Sequence, residues 1–285
     1  MTDPIVSIIV PTYNSAKTLE ACLRSITEQA YDNIELIVVD NNSADNTKQV
    51  ASKYTPHVYN RGPERSAQRN FGVEQATGEY VMIIDSDMEL GQNVAAQCVA
   101  QFNINPHLMG VTIPEESFGE GFWAQCKRLE RSYYVGVSWM EAARCFRRAT
   151  YQQAGGYDEA MVSGEDWDLS QRIAAMGPLG HIAEFIRHNE GHLKLISTLK
   201  KKYYYAQKFS MYTRKTSSKA NLSSQTGPFK RYALYFSKPA RLLANPLLGI
   251  GMLFMKTSEF AVGGVGLLIQ KGLSLIHISE PTRPY

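Results

Sequence analysis

Cysteine is scarce in this chain, and the four present (Cys22, Cys98, Cys126 and Cys145) form no Cys-x-x-Cys pair. That spacing argues against a zinc or disulfide framework and for buried free thiols in a reducing compartment. A secretory signal is also lacking, because the first apolar run, Ile5–Val10, is short, has no basic flank and ends at Pro11. The body of the protein is therefore expected to stay in the cytoplasm. No apolar run approaches the ~20 residues that span a bilayer as a helix. The two longest, Pro246–Met255 and Phe260–Ile269, are split by Lys256-Thr257-Ser258-Glu259. Acid is missing from one long stretch: between Gly191 and Ser258 there is no Asp or Glu, against thirteen Lys and Arg. Since the whole chain carries only +3, an acidic body is joined to a basic tail. Such a tail implies an anionic partner, either nucleic acid or a membrane face.

The length of 285 residues suits one large α/β domain or two small ones. Ile5–Val10 and Ile34–Val39 are nearly continuous Ile, Val and Leu, as expected of strands buried on both faces of a parallel sheet. Between them Leu19, Cys22, Leu23 and Ile26 recur at helical spacing after Asn14-Ser15, a candidate N-cap. Further helices are expected over Asn46–Tyr54, capped by Asp45, and over Ser66–Ala76, Gln92–Asn103 and Asp166–Met176. Further strands are expected at Val58-Tyr59, Tyr80–Ile84, Met109–Ile113 and Ile182–Arg187. Strands alternating with helices at this pace predict a doubly wound, mostly parallel sheet with helices on both faces and ligands beyond the strands' C-terminal ends.

The aromatic-rich stretch Glu115–Met140 reads either as a core helix with a loop or as a segment that contacts an acceptor. The short apolar runs behind the basic segment suit an element lying in a membrane interface, or a buried helical hairpin. Leu273–Tyr285 matches nothing before it and resembles translated vector sequence, so it is set apart as a non-native tail.

Asp85-Ser86-Asp87 follows the apolar run that ends at Ile84. If the strand continues, both carboxylates point to one side of it. Two like charges so placed repel unless a cation lies between or beside them, and a hard divalent ion with phosphate oxygens and water does this. Solvated loop aspartates are the plain alternative.

Five segments occur in order: Ser7-Ile8-Ile9-Val10-Pro11-Thr12-Tyr13-Asn14, Val39-Asp40-Asn41-Asn42-Ser43-Ala44-Asp45, Gln68-Arg69-Asn70-Phe71-Gly72, Asp85-Ser86-Asp87 and Gly164-Glu165-Asp166. Together they resemble the family 2 glycosyltransferases of GT-A fold, over about residues 5–195. The resemblance implies an inverting transferase domain over 1–195. It would be followed by a basic, apolar, membrane-associating helical region over 196–272 and the tail 273–285. It also implies a UDP- or GDP-linked sugar donor and Mn²⁺ or Mg²⁺. Pro11 and Tyr13 offer a resting place for a base, and Asp40 can accept from base or ribose. Arg69, with Arg65 as a second candidate, can approach the diphosphate or orient Asp85. By the same resemblance Asp85 lies near the ribose, Asp87 holds the metal, and a histidine, His188 before His192, joins the metal or phosphates. Asp166 is the expected general base and Glu165 its support or an acceptor contact. Helix capping is the plain alternative for Asp166.

The expected protein is a nucleotide-sugar transferase, peripheral on the inner face of the cell membrane, acting on a saccharide or lipid-linked saccharide. An anionic membrane surface is the expected partner of the tail, rather than nucleic acid. A sugar-nucleotide nucleotidyltransferase and a non-catalytic nucleotide-binding domain are the competing readings. The first lacks support because Pro11–Thr18 is not a glycine- and basic-rich triphosphate loop.

Overall fold

Apolar runs on consecutive residues have somewhere to go only if both faces of a sheet are covered, and here they are. The computed structural model describes residues 3–209, 225 and 227–278, with side chains as far as residue 269. Strands β1 (Val6–Thr12), β2 (Ile34–Asp40), β3 (Val58–Asn60), β4 (Tyr80–Ile83), β6 (Gly110–Thr112), β8 (Ala143–Arg147) and β9 (Leu179–His181) form a seven-stranded sheet in the order β3-β2-β1-β4-β8-β6-β9. Pairings among β3, β2, β1 and β4 are parallel, and β8 runs antiparallel to both β4 and β6.

Successive residues of each central strand serve opposite faces. Val6, Ile8 and Val10 of β1 pack with α1 (Leu19–Thr27), α2 (Thr47–Ala51) and α4 (Val94–Ile104). Ile9, Ile37 and Ile83 pack on the other face with α3 (Arg65–Gln75), α6 (Arg148–Gln153) and α7 (Glu165–Ala174). A small second sheet, β5-β10-β7, joins β5 (Met88–Leu90), β10 (Ile186–His192) and β7 (Glu115–Glu120). Because β1 has β2 on one side and β4 on the other, the loops leaving β1 and β4 diverge and open a crevice at the sheet's C-terminal edge.

Several local expectations need correction. Asn14-Ser15 is not the N-cap of α1; a further turn intervenes, Thr18 is the cap, and Asn14 has a left-handed φ of 49°. The strand expected at Ile182–Arg187 begins instead at Ile186 and includes both histidines, because its partners are the short strands of the small sheet. Its polar composition hid it. Glu115–Met140 supplies β7 and α5 (Gly121–Ser132).

The largest correction lies at the C-terminal end. The two apolar runs are one continuous helix, α11 (Pro246–Ile278). Its stretch Pro246–Ile269 is long and apolar enough to cross a membrane by length and composition. The interrupting charges do not break it, since Lys256 and Glu259 are both buried and pair with Glu130 and Lys127 of α5. With α8 (Leu195–Lys208), α9 (Pro228–Phe236) and α10 (Pro239–Leu243), this helix builds a third apolar cluster around Cys126, Tyr133, Tyr235, Leu242, Met252 and Met255. The basic region thus shares a core with α5. Arg214, Lys215 and Lys219 of that region, and residues 279–285 of the tail, lie outside the described residues.

Gly72 sets how closely α3 approaches the sheet. A Cβ there would stand 2.4 Å from Ile9 Cγ2 and 3.2 Å from Val39 Cγ2, both in the core. Gly72→Ala is therefore expected to destabilise the fold by about 1–3 kcal/mol, the usual cost of overpacking, despite alanine's better helix propensity. A denaturant midpoint at or above wild type would show that α3 can retreat freely.

Candidate active site

The loops after β1 and β2 are knitted by side chains. Asn14 N donates to Ser43 Oγ (2.8 Å), Ala44 N to Asn14 Oδ1 (2.9 Å) and Ser15 N to Thr47 Oγ1 (2.7 Å). Asp40 anchors them: it is fully buried, accepts from Thr12 Oγ1 (3.1 Å) and Ser43 N (2.8 Å), and lies 3.5 Å from Lys48 Nζ. Its oxygens are engaged by the protein, so in this arrangement Asp40 shapes the loop rather than presenting a free acceptor. Pro11 is buried at the end of β1, and Tyr13 beyond it is 62% exposed.

The helix α3 motif explains itself residue by residue. Gln68 Nε2 donates to Thr12 O (2.8 Å) and Val39 O (2.6 Å), tying the ends of β1 and β2. Asn70 Nδ2 donates to Tyr157 O (2.9 Å), and Asn70 Oδ1 accepts from Tyr157 N (2.9 Å). Arg69 is fully buried and stacks over the Tyr157 ring, 4.8 Å from its centroid. Its Nη2 donates to Asp85 (2.6 Å), and its Nη1 to Asp166 (2.9 Å) and Glu165 (3.3 Å). Of the two roles expected for Arg69, the buried position gives it the orienting one.

Three consequences follow for the acids. Burial by itself would raise the Asp85 carboxyl, but Arg69, Arg144 and Arg65 outweigh it and hold it well below the usual carboxylate range. Glu165, 2% exposed and 2.7 Å from Arg65 Nε, is raised by burial and by the neighbouring Asp166, with the arginines opposing. Asp166 keeps 30% of its side chain exposed. It stands in the first turn of α7, whose N-cap is Gly164 at φ 82°, so capping is not its task.

Asp85 and Asp87 do not share a face by strand alternation, because β4 ends at Ile83 and the pair lies in the turn before β5. They diverge. Asp87, 44% exposed, meets His188 Nε2 at 3.4 Å, since His188 of β10 pairs in register with Met88 of β5. His192, at the far end of β10, is exposed and lies against Gly121. Arg131 Nη2 lies 2.9 Å from His188 Nδ1. Guanidinium can only donate, so in this contact Nδ1 of His188 is the acceptor. His188 is placed where a metal ligand was expected, with Nε2 turned toward Asp87 and Nδ1 toward Arg131. Asp87 remains a fit for a hard cation, which takes one or two carboxylates and completes its shell with phosphate oxygens and water. No cluster of three or more metal-ligating side chains occurs among the described residues.

Sequence reasoning missed Arg144, Arg131 and Glu115. Arg144 lies 3.7 Å from Asp85 and 2.6 Å from Glu115, and Glu115 also pairs with Arg131. The signal was a charged residue in the otherwise buried strand Ala143–Arg147. Asp85, Asp166 and His188 line a cavity of about 710 Å³ that extends to α11.

Burial would raise Glu115, but Arg144 and Arg131 outweigh it and bring it to about 2 from 4.5. A carboxyl depressed by folding contributes stability above its unfolded pKa and loses it as the pH falls through the folded one. Stability is therefore expected to drop between about pH 4.5 and 2, with a shallower drop in Glu115→Gln. Parallel denaturant midpoints for the two proteins at pH 6 and 3 would remove Glu115 from the acid response.

A family model described as glycosyl transferase family 2 matches residues 7–157. Glycosyltransferase GlyG of Streptococcus pneumoniae is 36% identical over 98 residues, 32% of each chain. The GalNAc(5)-diNAcBac-PP-undecaprenol beta-1,3-glucosyltransferase of Campylobacter jejuni is 37% identical over 97 residues, covering 30% of this chain and 31% of that one. The matched segments thus span about a third of these relatives' length. Among solved structures, the mannosyltransferase PcManGT of Pyrobaculum calidifontis, in complex with GDP-Man and Mn²⁺, superposes with a TM-score of 0.62 at 20% identity. It covers 94% of this chain and 88% of that one. S. aureus TarS 1-349 in complex with UDP gives 0.51 at 18% identity, over 94% and 91%. The fold is theirs, and with more than half its length matched by the family model the chain belongs to glycosyl transferase family 2.

Proposed function

We propose that the protein is an inverting glycosyltransferase moving a sugar from a UDP- or GDP-linked donor to a hydroxyl of a saccharide or lipid-linked saccharide. One observation carries this reading: Arg69 fixes Asp85 and Asp166 on a single guanidinium at the crevice, both line the cavity beyond, and Asp85 is further drawn to Arg144. Asp166 takes the proton of the acceptor hydroxyl. That oxygen bonds to the anomeric carbon from the face opposite the diphosphate, the old glycosidic bond breaks, and the nucleoside diphosphate leaves. Glu165 and Arg65 brace Arg69 from behind. Tyr13 gives the base an aromatic face, Pro11 and Asp40 hold the loop beneath it, and Asp85 faces the donor side.

A divalent ion, Mn²⁺ or Mg²⁺, held by Asp87 and the donor's own oxygens would act as Lewis acid for the departing diphosphate. His188 stands beside the Asp87 carboxylate, 3.4 Å away, close enough to join the same ion or its phosphates. The Mn²⁺ in the Pyrobaculum structure supports this assignment, and the name of the Campylobacter relative supports a lipid-linked acceptor.

The test is a screen of UDP- and GDP-sugars with Mn²⁺, read by nucleotide release and product. Asp166→Asn should lower transfer by about 10²–10⁴, the range for losing a general base, with donor affinity nearly unchanged. Chelation or Asp87→Asn should lower donor affinity and rate together. A rate within a few-fold of wild type for folded Asp166→Asn would put the base elsewhere. Binding without turnover by every donor would favour the non-catalytic reading.

The exposed face of α11 supports a membrane-surface location. Leu247, Ile250, Phe254, Val265 and Leu268 are all exposed and fall on one side of the helix at i, i+3, i+4 spacing. Phe229, Phe236 and Leu243 on α9 and α10 are exposed too, beside exposed Lys230, Lys238 and Arg241. The protein is expected to sediment with anionic liposomes less well as salt rises, and Ile250→Gln with Phe254→Gln should release it. Equal sedimentation of variant and wild type, or preference for DNA over liposomes, would sink this assignment.

A further inference from the structure

Strand order ranks the residues of the crevice by their distance from the nucleotide base. Tyr13 follows β1 and Asp40 ends β2, while Asp85 leaves β4, the next strand across. Strand β8 lies one place farther from the base and carries Arg144. Met82 pairs with Cys145, so Arg144 stands at the end of β4 from which Asp85 emerges. A group held between Asp85 and Arg144 is therefore displaced from the base, on the side where the donor carries its sugar.

Arg144 is 7% exposed and lines the cavity. Its Nε donates to Glu115 (2.6 Å), and the outer end of the guanidinium points to Asp85. Nη1 has no hydrogen-bond partner among the described residues and stands 3.7 Å from Asp85 Oδ2. That gap is too long for a direct hydrogen bond, and a buried N–H left unpaired is costly. Asp85 is not free to close it, because Arg69 holds its Oδ1 at 2.6 Å. One oxygen at about 2.8 Å from each atom would bridge them, accepting from Nη1 and donating to Oδ2. A hydroxyl does both at once. A carboxylate can only accept, and it would meet Asp85 as a like charge. Nor is there a surplus cation to attract one: Arg144 and Asp85, Arg131 and Glu115, and Arg69 and Asp166 balance pair by pair.

We propose that Arg144 selects the transferred sugar: its Nη1 and Asp85 Oδ2 together hold one hydroxyl of an uncharged sugar in the donor. The pair discriminates against a donor that lacks this hydroxyl or carries a carboxylate in its place. The sugar's identity as a donor rests on the transferase reading; the bridged hydroxyl is read from the gap alone. Arginine suits the position because one planar group reaches two partners. The single ammonium of lysine can meet Glu115 or the hydroxyl, but not both.

The test is calorimetric titration of the full chain in Mn²⁺ with UDP, GDP, UDP-glucose and GDP-mannose. Monodeoxy analogues of whichever sugar nucleotide binds tighter follow. In wild type one analogue should bind about ten- to a hundredfold more weakly than its parent, the usual contribution of a hydrogen bond to a charged group. Arg144→Lys should weaken the parent by a similar factor and leave UDP or GDP alone unchanged. In that variant the sensitive analogue should bind about as well as the parent, since residue and hydroxyl share one contact. Undiminished sensitivity to the missing hydroxyl in Arg144→Lys would overturn the proposal. Weaker binding of UDP or GDP alone by the variant would put the hydroxyl on the ribose and overturn the sugar assignment. Thermal melting reports whether Arg144→Lys is folded. Should it unfold, the wild-type series decides: one loss of about tenfold or more supports the proposal, and equal affinity for every analogue overturns it. Failure of wild type to bind any of the four nucleotides would instead overturn the transferase reading, and the sugar assignment with it.

Discussion

A single guanidinium, placed where water cannot reach it, organises the crevice. Burying Arg69 is tolerable only because carboxylates surround it, and those carboxylates come from the turn after β4 and the start of α7. Each partner is useful because the others exist. From Arg69 the alternation of charge continues through Asp85, Arg144, Glu115 and Arg131 to His188 and Asp87, so both ends of the site belong to one electrostatic unit. Removing one member of such a buried set costs about 3–5 kcal/mol, largely by stranding its partner. The large sheet and the small sheet are thereby held in mutual register by charge as well as by packing.

The C-terminal helices obey the same rule at a second location. Lys256 and Glu259 would be out of place in an apolar helix if they faced lipid or an oily core, yet they meet Glu130 and Lys127 across the α5–α11 contact. Apolar packing through Met252, Met255 and Tyr235 supplies the attraction. The ion pairs supply the register, since a shift of one residue would bury two charges without partners.

Most of the sheet was legible because the strands are apolar on both faces and the helices keep a 3.6-residue period. What failed to show was structure specified by distant partners. Strand β10, Ile-Arg-His-Asn-Glu-Gly-His, has no apolar alternation; it exists because β5 and β7 offer free edges. The continuity of α11 was hidden for a similar reason, since the pairing that makes Lys256 and Glu259 acceptable inside a helix lies more than a hundred residues upstream. At the site, Asp85, Asp87, Glu165, Asp166 and Arg69 were recognisable from their motifs. Their mutual commitments were not, and Asp40, with its oxygens already engaged, is the clearest case. Arg144 carried no motif at all, only the oddity of a charge inside a buried strand.

The one-sided exposure of α11 has a geometric consequence. The helix is keyed to α5 by two buried charges, so its apolar stripe cannot rotate relative to the crevice. On a lipid surface such a stripe would act as a fixed keel: the body would sit at one tilt, with the crevice always presented at the same height above the headgroups. An acceptor confined to that plane would then be met by rotation about a single axis, reducing a search in six dimensions of position and orientation to three.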